Sequence, residues 1–198
     1  SDVYKRQVLW AGGAHAISAL VYGIDGLEPV DFIVGPGNRW VTAAKALVTG
    51  RVGIDMLAGP SEQVDAADAD ADPQTIAADL LGQAEHDVDA VPILITDSVA
   101  LAEAVVDACT TQLETIPTGA IAAEAIRNGA AVICSSREQM VDMVNRCAPE
   151  HLEIQTADNE ALVAMVRYAG AVFCGRYAPA SLGDYVAGPS PVLPASGA

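Results

Sequence analysis

The stretch DPQTIAADLLGQAEHDVDAVPILITDSVALAEAVVDA (72–108) decides the fold class. Asp72 before Pro73 is a helix start signal, because aspartate caps a helix and proline suits its first position. The pattern predicts a helix over 73–86, a short apolar strand over 91–96 and a second helix over 98–115. A buried strand between two such helices is typical of a parallel sheet with crossover helices.

The same alternation continues on both sides of this stretch. Further strands are predicted at 30–34, 52–57, 130–135, 151–155 and 170–174. Further helices are predicted at 14–22, 39–49, 119–128, 136–146 and 158–169. Ser135 with Glu138 fits a capping box, and Gly170 is expected to end the last helix. The acidic stretch 65–72 is expected to be a solvated loop or a degraded edge strand, and the whole pattern predicts an α/β fold.

The composition limits the classes of partner. The 198 residues carry a net charge of −16 with only 10 Lys and Arg, which argues against nucleic acid because phosphate binding needs clustered cations. A strongly acidic surface keeps a protein soluble at high ionic strength, so a salt-adapted host is one hypothesis for this bias. No apolar run approaches the length that spans a bilayer, and no signal peptide is recognisable.

The four cysteines lie far apart and form no CxxC pair. This spacing favours buried free thiols in a reducing compartment over disulfides. With no membrane segment expected, we predict a cytoplasmic protein.

Gln83 and His86 lie three residues apart on a predicted helix and therefore share a face. An amide oxygen, an imidazole and a carboxylate together suit zinc. For His86 taken alone, a structural role at the helix end is the alternative. Glu150 and His151 are then left for proton transfer, since a histidine near neutral pKa can accept and return protons. These residues indicate metal-assisted chemistry on a small polar molecule.

Two further motifs have a functional and an ordinary interpretation. GPGN (35–38) follows a predicted strand and precedes a helix, so its backbone N–H groups could meet a phosphate or ribose. The alternative is a strand-to-helix turn that Asn38 caps. Asp184 lies in a Gly-bounded loop, where turn formation is the alternative to a ligand role.

Four segments, in order and at compatible spacing, resemble histidinol dehydrogenases. They are GPGNRWVTAAKALVTGRVGIDMLAGPSE (35–62), ADPQTIAADLLGQAEHD (71–87), APEHLEI (148–154) and SLGDYVAGPSPVLP (181–194). The resemblance begins near Gly12 and implies two incomplete Rossmann-like lobes, with mostly parallel sheets and crossover helices. Residues 1–58 would form part of one lobe and 59–198 most of the second. Family members are about twice as long, so an N-terminal segment and a C-terminal tail are expected to be missing, and residues 1–7 match no neighbouring pattern and are open to a foreign origin.

The resemblance also implies an activity and its residues. The family oxidises L-histidinol to L-histidine through the aldehyde, with NAD and zinc, as a homodimer. Gln83, His86 and Asp184 match zinc ligands, the fourth being a histidine of the missing tail, and these three with Ser61 and His151 match the substrate site. Glu150 and His151 match the catalytic pair, and Asn38 matches a contact to NAD. The 198 residues alone are therefore expected to have little or no activity.

Three departures from the family pattern leave the substrate open. His15 stands in GGAHAISAL (12–20) where the family usually has a glutamine near NAD, and Ser190 and Pro191 replace an Asn–His pair. The strand after GPSE, usually apolar, reads QVDAADAD (63–70). A paralogous zinc and NAD alcohol dehydrogenase acting on another small polar alcohol, such as a sulfonated diol, is the alternative. A non-catalytic binding module would have lost the polar site residues, which are all present.

Overall fold

The computed structural model describes residues 8–57 and 61–185, with the backbone alone for Asp184 and Tyr185. The predicted α/β fold with parallel sheets is confirmed. The chain divides into two compact units, Ser1–Gly59 and Pro60–Ala198. None of the described helices is long and apolar enough to cross a membrane.

The first unit is a two-stranded parallel sheet with two helices. Its elements are α1 (Gly13–Tyr22), β1 (Phe32–Ile33), α2 (Arg39–Val48) and β2 (Gly53–Ile54). Phe32 pairs with Gly53 and Ile33 with Ile54. A small apolar core of Ile17, Val21, Ile33 and Val48 joins α1, α2 and β1.

The second unit is a five-stranded parallel sheet in the order β5-β4-β3-β6-β7. The strands are β3 (Glu62–Ala67), β4 (Val91–Thr96), β5 (Ala130–Ile133), β6 (His151–Gln155) and β7 (Ala171–Cys174). Along the chain, the strands are added outward from β3 through β4 to β5 at one edge, and then from β6 to β7 at the other. The switch in direction therefore lies between β3 and β6, which pair along their whole lengths.

Helices cover both faces of this sheet. They are α3 (Pro73–Ala84), α4 (Val99–Leu113), α5 (Gly119–Ala125), α6 (Arg137–Cys147), α7 (Asn159–Val163) and the short α8 (Ser181–Tyr185). Residues of α3, α4 and α5 form one apolar core with Ala67 and Leu94. Residues of α6 and α7 form the other with Val64, Leu152 and Ile154. Each strand thus supplies alternate side chains to opposite faces, as strand geometry requires.

Side-chain hydrogen bonds cap the first turns of α3 and α6. Asp72 caps α3 by accepting from the Gln74 N–H at 3.0 Å, with Pro73 in the first position. The capping box of α6 lies one residue beyond the predicted one. Ser136, not Ser135, is the cap and accepts from the Gln139 N–H at 3.3 Å, while Gln139 Oε1 accepts from the Ser135 N–H at 2.6 Å.

Two predicted elements differ from the structure. Residues 65–67 are neither loop nor edge but part of the central strand β3, and the polar side chains at 63 and 65 are buried. The helix predicted over 158–169 ends at Val163 rather than near Gly170. Asn145 of α6 accepts from the Arg167 N–H at 2.6 Å and the Tyr168 N–H at 3.2 Å, so these groups have partners outside the helix.

All four cysteines are free thiols, as predicted. Cys109 and Cys134 are buried and Cys147 is half-buried. The expectation of burial is wrong for Cys174, which is exposed near the sheet edge at the end of β7.

Candidate active-site cleft

One face of β3 and β6 is polar over most of its length. Gln63 pairs with His151 and Asp65 with Glu153 in the parallel register. The intervening residues point to the opposite face, where Val64 and Leu152 are in the apolar core. Two adjacent central strands therefore present a row of hydrogen-bonding side chains toward α3.

The C-terminal half of α3 covers this row and leaves a cleft of about 380 Å³. Its polar wall comes from Gln63, Asp79, Gln83, Glu85, His86, His151 and Glu153. The cleft lies where β3 and β6 begin and α3 ends, which is the amino edge of the sheet. The described lining contains no lysine or arginine.

Gln83 and His86 meet at this cleft because α3 ends between them. Gln83 is in the last turn and is 8% exposed, whereas His86 follows the helix and is exposed. Within the described part of the chain, neither side chain forms a hydrogen bond with another protein group. A buried amide directed to a cleft without a protein partner, beside an imidazole, fits the nitrogen and oxygen ligands that zinc accepts.

His151 reaches the cleft as the first residue of β6, and Glu150 precedes it in a bend. Adjacent residues of an extended strand would point to opposite faces. The chain approaches through Ala148, which has a left-handed φ of 44°, and Pro149. His151 lines the cleft beside Gln83 and His86, whereas Glu150 is not among the lining residues.

Glu150 interacts instead with the residues that lead into β3. Burial raises the pKa of Glu150 above its ordinary value, and the charge of Glu62 adds to the rise. Hydrogen bonds from the Glu62 backbone and the Ser61 hydroxyl oppose it. One carboxylate oxygen, Oε2, is buried without a hydrogen bond among the described residues. Ser61 and Glu150 are therefore brought together, at the side of the cleft.

Three carboxyl groups lie together beneath the cleft. Oxygen atoms of Asp65, Asp79 and Glu153 are within 4.8 Å of one another. Gln63 Nε2 donates to Glu153 Oε1 at 3.2 Å, and the Ala180 N–H donates to the same oxygen at 2.7 Å. Gln155 Nε2 donates to Asp79 Oδ2 at 2.9 Å.

Burial raises the pKa of each group in this carboxyl cluster (Asp65, Asp79 and Glu153). Burial raises the pKa of Glu153 to about 8, and the hydrogen bond and charge of Asp79 add to the rise. Burial, followed by the charges of Glu153 and Asp79, holds the pKa of Asp65 well above its usual range. Desolvation favours the neutral acid wherever no cation compensates the charge. Oxygen ligands of this kind suit a hard cation, whereas Gln83 and His86 suit zinc.

Sequence reasoning missed Gln63, Asp65, Glu153 and Gln155 as parts of this site. A signal was present, because polar residues recur at every second position of β6 and at positions 63 and 65 of β3. A central strand of a parallel sheet is normally apolar on both faces. Alternation in two such strands therefore indicates a polar cleft on one face.

Two predicted cofactor residues lie in the first unit. Asn38 caps α2, and its Oδ1 accepts from the Trp40 N–H at 3.1 Å and the Val41 N–H at 3.2 Å. The turn interpretation of GPGN is thus confirmed, and a role in NAD binding stays a prediction. His15 lies in the first turn of α1, and both residues are exposed.

Some predictions fall beyond the described side chains. Asp184 belongs to α8, but its side chain is outside the described part of the chain. Ser190 and Pro191 are also outside the described residues. The zinc, substrate and specificity roles predicted for these positions stay predictions.

Comparison with known proteins gives a consistent result. A model of the histidinol dehydrogenase family matches residues 3–198. Histidinol dehydrogenase of Rhizobium meliloti is 53% identical over 190 residues, or 96% of this chain and 44% of that protein. Histidinol dehydrogenase of Geobacillus kaustophilus is 52% identical over all 198 residues, which cover 46% of that protein. The chain thus spans less than half the length of these relatives.

Solved structures agree with the sequence comparison. The crystal structure of histidinol dehydrogenase from Elizabethkingia anophelis has a TM-score of 0.85 and 39% identity, covering 93% of this chain and 43% of that chain. A gamma-glutamyl phosphate reductase from Thermotoga maritima, with a TM-score of 0.52 and 13% identity, covers 78% of this chain and 42% of that chain and shares the fold alone.

Proposed function

Because this chain belongs to the histidinol dehydrogenase family, we propose that the complete protein oxidises L-histidinol to L-histidine, the last step of histidine biosynthesis. The alcohol is first oxidised to the aldehyde, and the aldehyde then takes up water and is oxidised to the acid. Each oxidation reduces one NAD to NADH and releases one proton. Two NAD are therefore consumed per histidinol.

The observation that carries this proposal is the convergence of Gln83, His86 and His151 on one cleft. The last turn of α3 and the start of β6 are remote in sequence, and only the fold makes them neighbours. A cleft that combines an amide, two imidazoles and carboxyl groups can bind a small molecule with several nitrogen and oxygen atoms.

In the first oxidation, we assign proton removal from the alcohol to His151. An imidazole is suited to this role because it accepts and returns protons near neutral pH. His151 starts a central strand and has the Phe173 ring beside it, with 6.2 Å between ring centroids. The fixed strand holds the imidazole at the cleft, while NAD supplies the acceptor for the hydride.

In the second oxidation, we assign activation of water to Glu150. Its partly buried carboxylate has a raised pKa and is therefore a stronger base than an exposed glutamate. The hydrogen bond from Ser61 orients the group. Ser61 would thereby serve the site by positioning Glu150, in addition to the substrate contact that the resemblance implies.

Gln83 and His86 would hold zinc together with Asp184. Zinc when bound would orient the substrate through its amine and imidazole. Gln83 lies in the last turn of α3, and His86 follows the helix. The helix packs in the apolar core of the sheet, which limits the movement of both residues. The carboxyl group of Asp79, one turn earlier on α3, extends the polar wall beneath them.

The lining of the cleft favours histidinol over a sulfonated diol. Carboxyl groups of Asp79, Glu85 and Glu153 line it, and the described lining holds no lysine or arginine. A substrate amine can donate hydrogen bonds to these oxygen atoms, whereas a sulfonate would find no cation in this lining to compensate its charge. A paralogous activity on another cationic or neutral alcohol remains the second candidate because of Ser190 and Pro191.

We further propose that the complete protein is a cytoplasmic homodimer, as the family resemblance implies. The exposed apolar side chains of α2, such as Trp40 at 64% and Leu47 at 87% exposed, offer surface on which further chain or a second copy could pack.

The test is NADH formation by the full-length protein with L-histidinol, with zinc present and after chelation. We expect chelator-sensitive turnover that yields two NADH per histidinol. Absence of turnover in a folded, zinc-loaded protein would contradict the proposed substrate. Other small amino alcohols would then be assayed for NADH formation in the same way.

A further inference from the structure

An ion pair in the first unit holds both peptide groups of Gly35, the residue that opens the GPGN loop (35–38). Asp55 Oδ2 accepts from the Gly35 N–H at 2.7 Å. Lys45 Nζ donates to the Gly35 carbonyl oxygen and to Asp55 Oδ1, the latter at 2.7 Å. Asp55 directly follows β2, and Lys45 lies in the second half of α2. One charged pair therefore joins the start of the loop to the neighbouring strand and to the helix beyond it.

The burial of Lys45 makes this pairing obligatory. The residue is only 3% exposed, and a buried ammonium needs an opposite charge and hydrogen-bond acceptors. Asp55 supplies the charge and the Gly35 carbonyl supplies a second acceptor. The hydrogen bond from Lys45, with that from the Gly35 backbone, lowers the pKa of Asp55 to about 2. Asp55 therefore stays ionised throughout the neutral range.

The loop has a backbone that needs such support. Gly35 has a φ of 126°, which residues with a Cβ rarely adopt. A Cβ built on Gly35 would meet no atom of the described residues within 4 Å, so these residues leave space beside this backbone. A Cβ on Gly37 would lie 2.5 Å from the Val41 side chain, so there the loop packs tightly against α2. Among the described residues, the loop thus has free space beside Gly35 and packs against α2 at Gly37.

We propose that the Lys45–Asp55 ion pair is a positioning device that sets the GPGN loop for binding of the dinucleotide. This inference rests on the proposed NAD dependence and names residues that act through the loop rather than on the cofactor. Backbone groups at a strand-to-helix turn can approach a pyrophosphate or ribose closely only where the peptides are held in one orientation. The ion pair fixes that orientation because it binds both the N–H and the carbonyl group of Gly35.

A purely structural role predicts a different pattern of effects. The apolar core that joins the elements of the unit consists of other side chains, those of Ile17, Val21, Ile33 and Val48. Loss of its loop contacts should therefore change NAD affinity more than it changes the binding of histidinol or zinc. The ratio of these effects distinguishes positioning from general stability.

The experiment uses the full-length protein with the variants Asp55→Asn and Lys45→Met. Dissociation constants for NAD are measured by isothermal titration calorimetry, and KM and kcat are measured for NAD and histidinol. We expect each variant to weaken NAD binding about tenfold, equal to about 1.4 kcal/mol, with kcat at saturating NAD, KM for histidinol and zinc content unchanged. Lys45→Arg should recover part of the affinity, because it restores a cation beside Asp55.

The matched control is Asp31→Asn, which removes an exposed carboxylate next to β1 in the same unit. It should bind NAD as the original protein does. If Asp55→Asn does not fold, because it leaves the buried Lys45 ammonium without a counter-charge, Lys45→Met provides the test, since the Asp55 side chain is partly exposed and can still accept from the Gly35 N–H.

The outcomes separate the two proposals. Unchanged NAD affinity in both ion-pair variants overturns the positioning role and leaves the proposed function intact. A parallel loss of NAD affinity, histidinol affinity and thermal stability also overturns it, in favour of a structural role. Failure of the unaltered protein to bind NAD overturns the proposed NAD dependence and, with it, this inference.

Discussion

Ala148 has a backbone conformation that its side chain disfavours. Its φ of 44° and ψ of 55° are left-handed, and it forms the C-cap of α6, with its N–H donating to the Val144 carbonyl at 3.0 Å. Glycine is the usual residue at such a cap. The strained turn directs the chain through Pro149 to Glu150 and His151, so an unfavourable residue stands two positions before the pair that we propose to be catalytic.

Ala148→Gly is expected to stabilise the protein. Relief of the left-handed strain should contribute about 1–2 kcal/mol, and the greater freedom of glycine in the unfolded chain should offset about 0.4–1 kcal/mol of it. The free energy of unfolding in urea should therefore rise by about 0.5–1 kcal/mol. Ala164→Gly is the matched control, because Ala164 is right-handed with a φ of −60° and glycine should destabilise there. A lower stability in Ala148→Gly would show that the turn is not strained.

Glu150 and His151 have different surroundings, and their variants should separate the two oxidations. Glu150→Gln removes the base for water activation and should slow aldehyde oxidation by about 10²–10⁴-fold, with alcohol oxidation retained. The yield should approach one NADH per histidinol, and the aldehyde should be detectable with a carbonyl trap. His151→Asn should slow the first oxidation as well. Two NADH per histidinol at an unchanged rate in Glu150→Gln would exclude the assigned role.

The strand β3 shows how an element can contradict its own local pattern. Asp65 and its acidic neighbours indicate an exposed segment, yet β3 is central and Asp65 is fully buried. Its partners lie far along the chain, Glu153 on β6 and Asp79 on α3. The three carboxyl groups are buried together instead of being solvated, and burial raises their pKa values.

The carboxyl cluster should make stability depend on pH. Glu153 has a pKa of about 8 in the folded protein against an ordinary value of 4.5, so the folded state binds its proton more tightly than the unfolded state. The stabilisation is complete below about pH 4.5 and is lost as the pH rises through about 8. The melting temperature should therefore fall between pH 6 and pH 9. Glu153→Gln, which imitates the protonated acid, should weaken that fall.

Glu124→Gln is the control for this prediction. Glu124 is a carboxylate of α5, paired with Arg127, and its side chain is 58% exposed. An exposed pair of this kind contributes little to stability, so the pH dependence should match that of the original protein. An identical pH slope in Glu153→Gln would exclude Glu153 as the group responsible.

The whole chain of 198 residues is less than half the length of its curated relatives. It exposes large apolar side chains, among them Trp10 at 100% and Leu47 at 87%. Exposed apolar side chains that form a contiguous patch favour association with other polypeptide chains. In the proposed function, zinc binding also needs a ligand from outside these 198 residues.

Expressed alone, the 198 residues are expected to form little or no NADH from histidinol and to aggregate more readily than the full-length protein. Size-exclusion chromatography and the NADH assay, run on both proteins at equal concentration, test this expectation. Full turnover from the 198-residue chain would mean that the site is complete within it.

Local signals were sufficient for the α/β class, for most helix and strand positions and for the caps at Asp72 and Asn38. These features depend on neighbours within a few residues, so periodicity and capping chemistry report them directly. The family motifs likewise predicted a shared site for Gln83, His86 and His151, and the structure brings the three to one cleft, while their roles stay predictions. The length of α7 was predicted wrongly because Asn145, some 20 residues earlier, binds the backbone where the helix pattern would have continued.

Tertiary structure alone decided the position of β3 in the sheet and the cleft between α3 and β6. Pairing of Gln63 with His151 and of Asp65 with Glu153 joins residues about 90 positions apart. The sequence around either residue of such a pair does not indicate which residue its partner is. Burial then changes their chemistry, since desolvation raises the pKa of each carboxyl group only after the sheet has formed. The site's electrostatics therefore follow from strand order, which no short segment of the chain specifies.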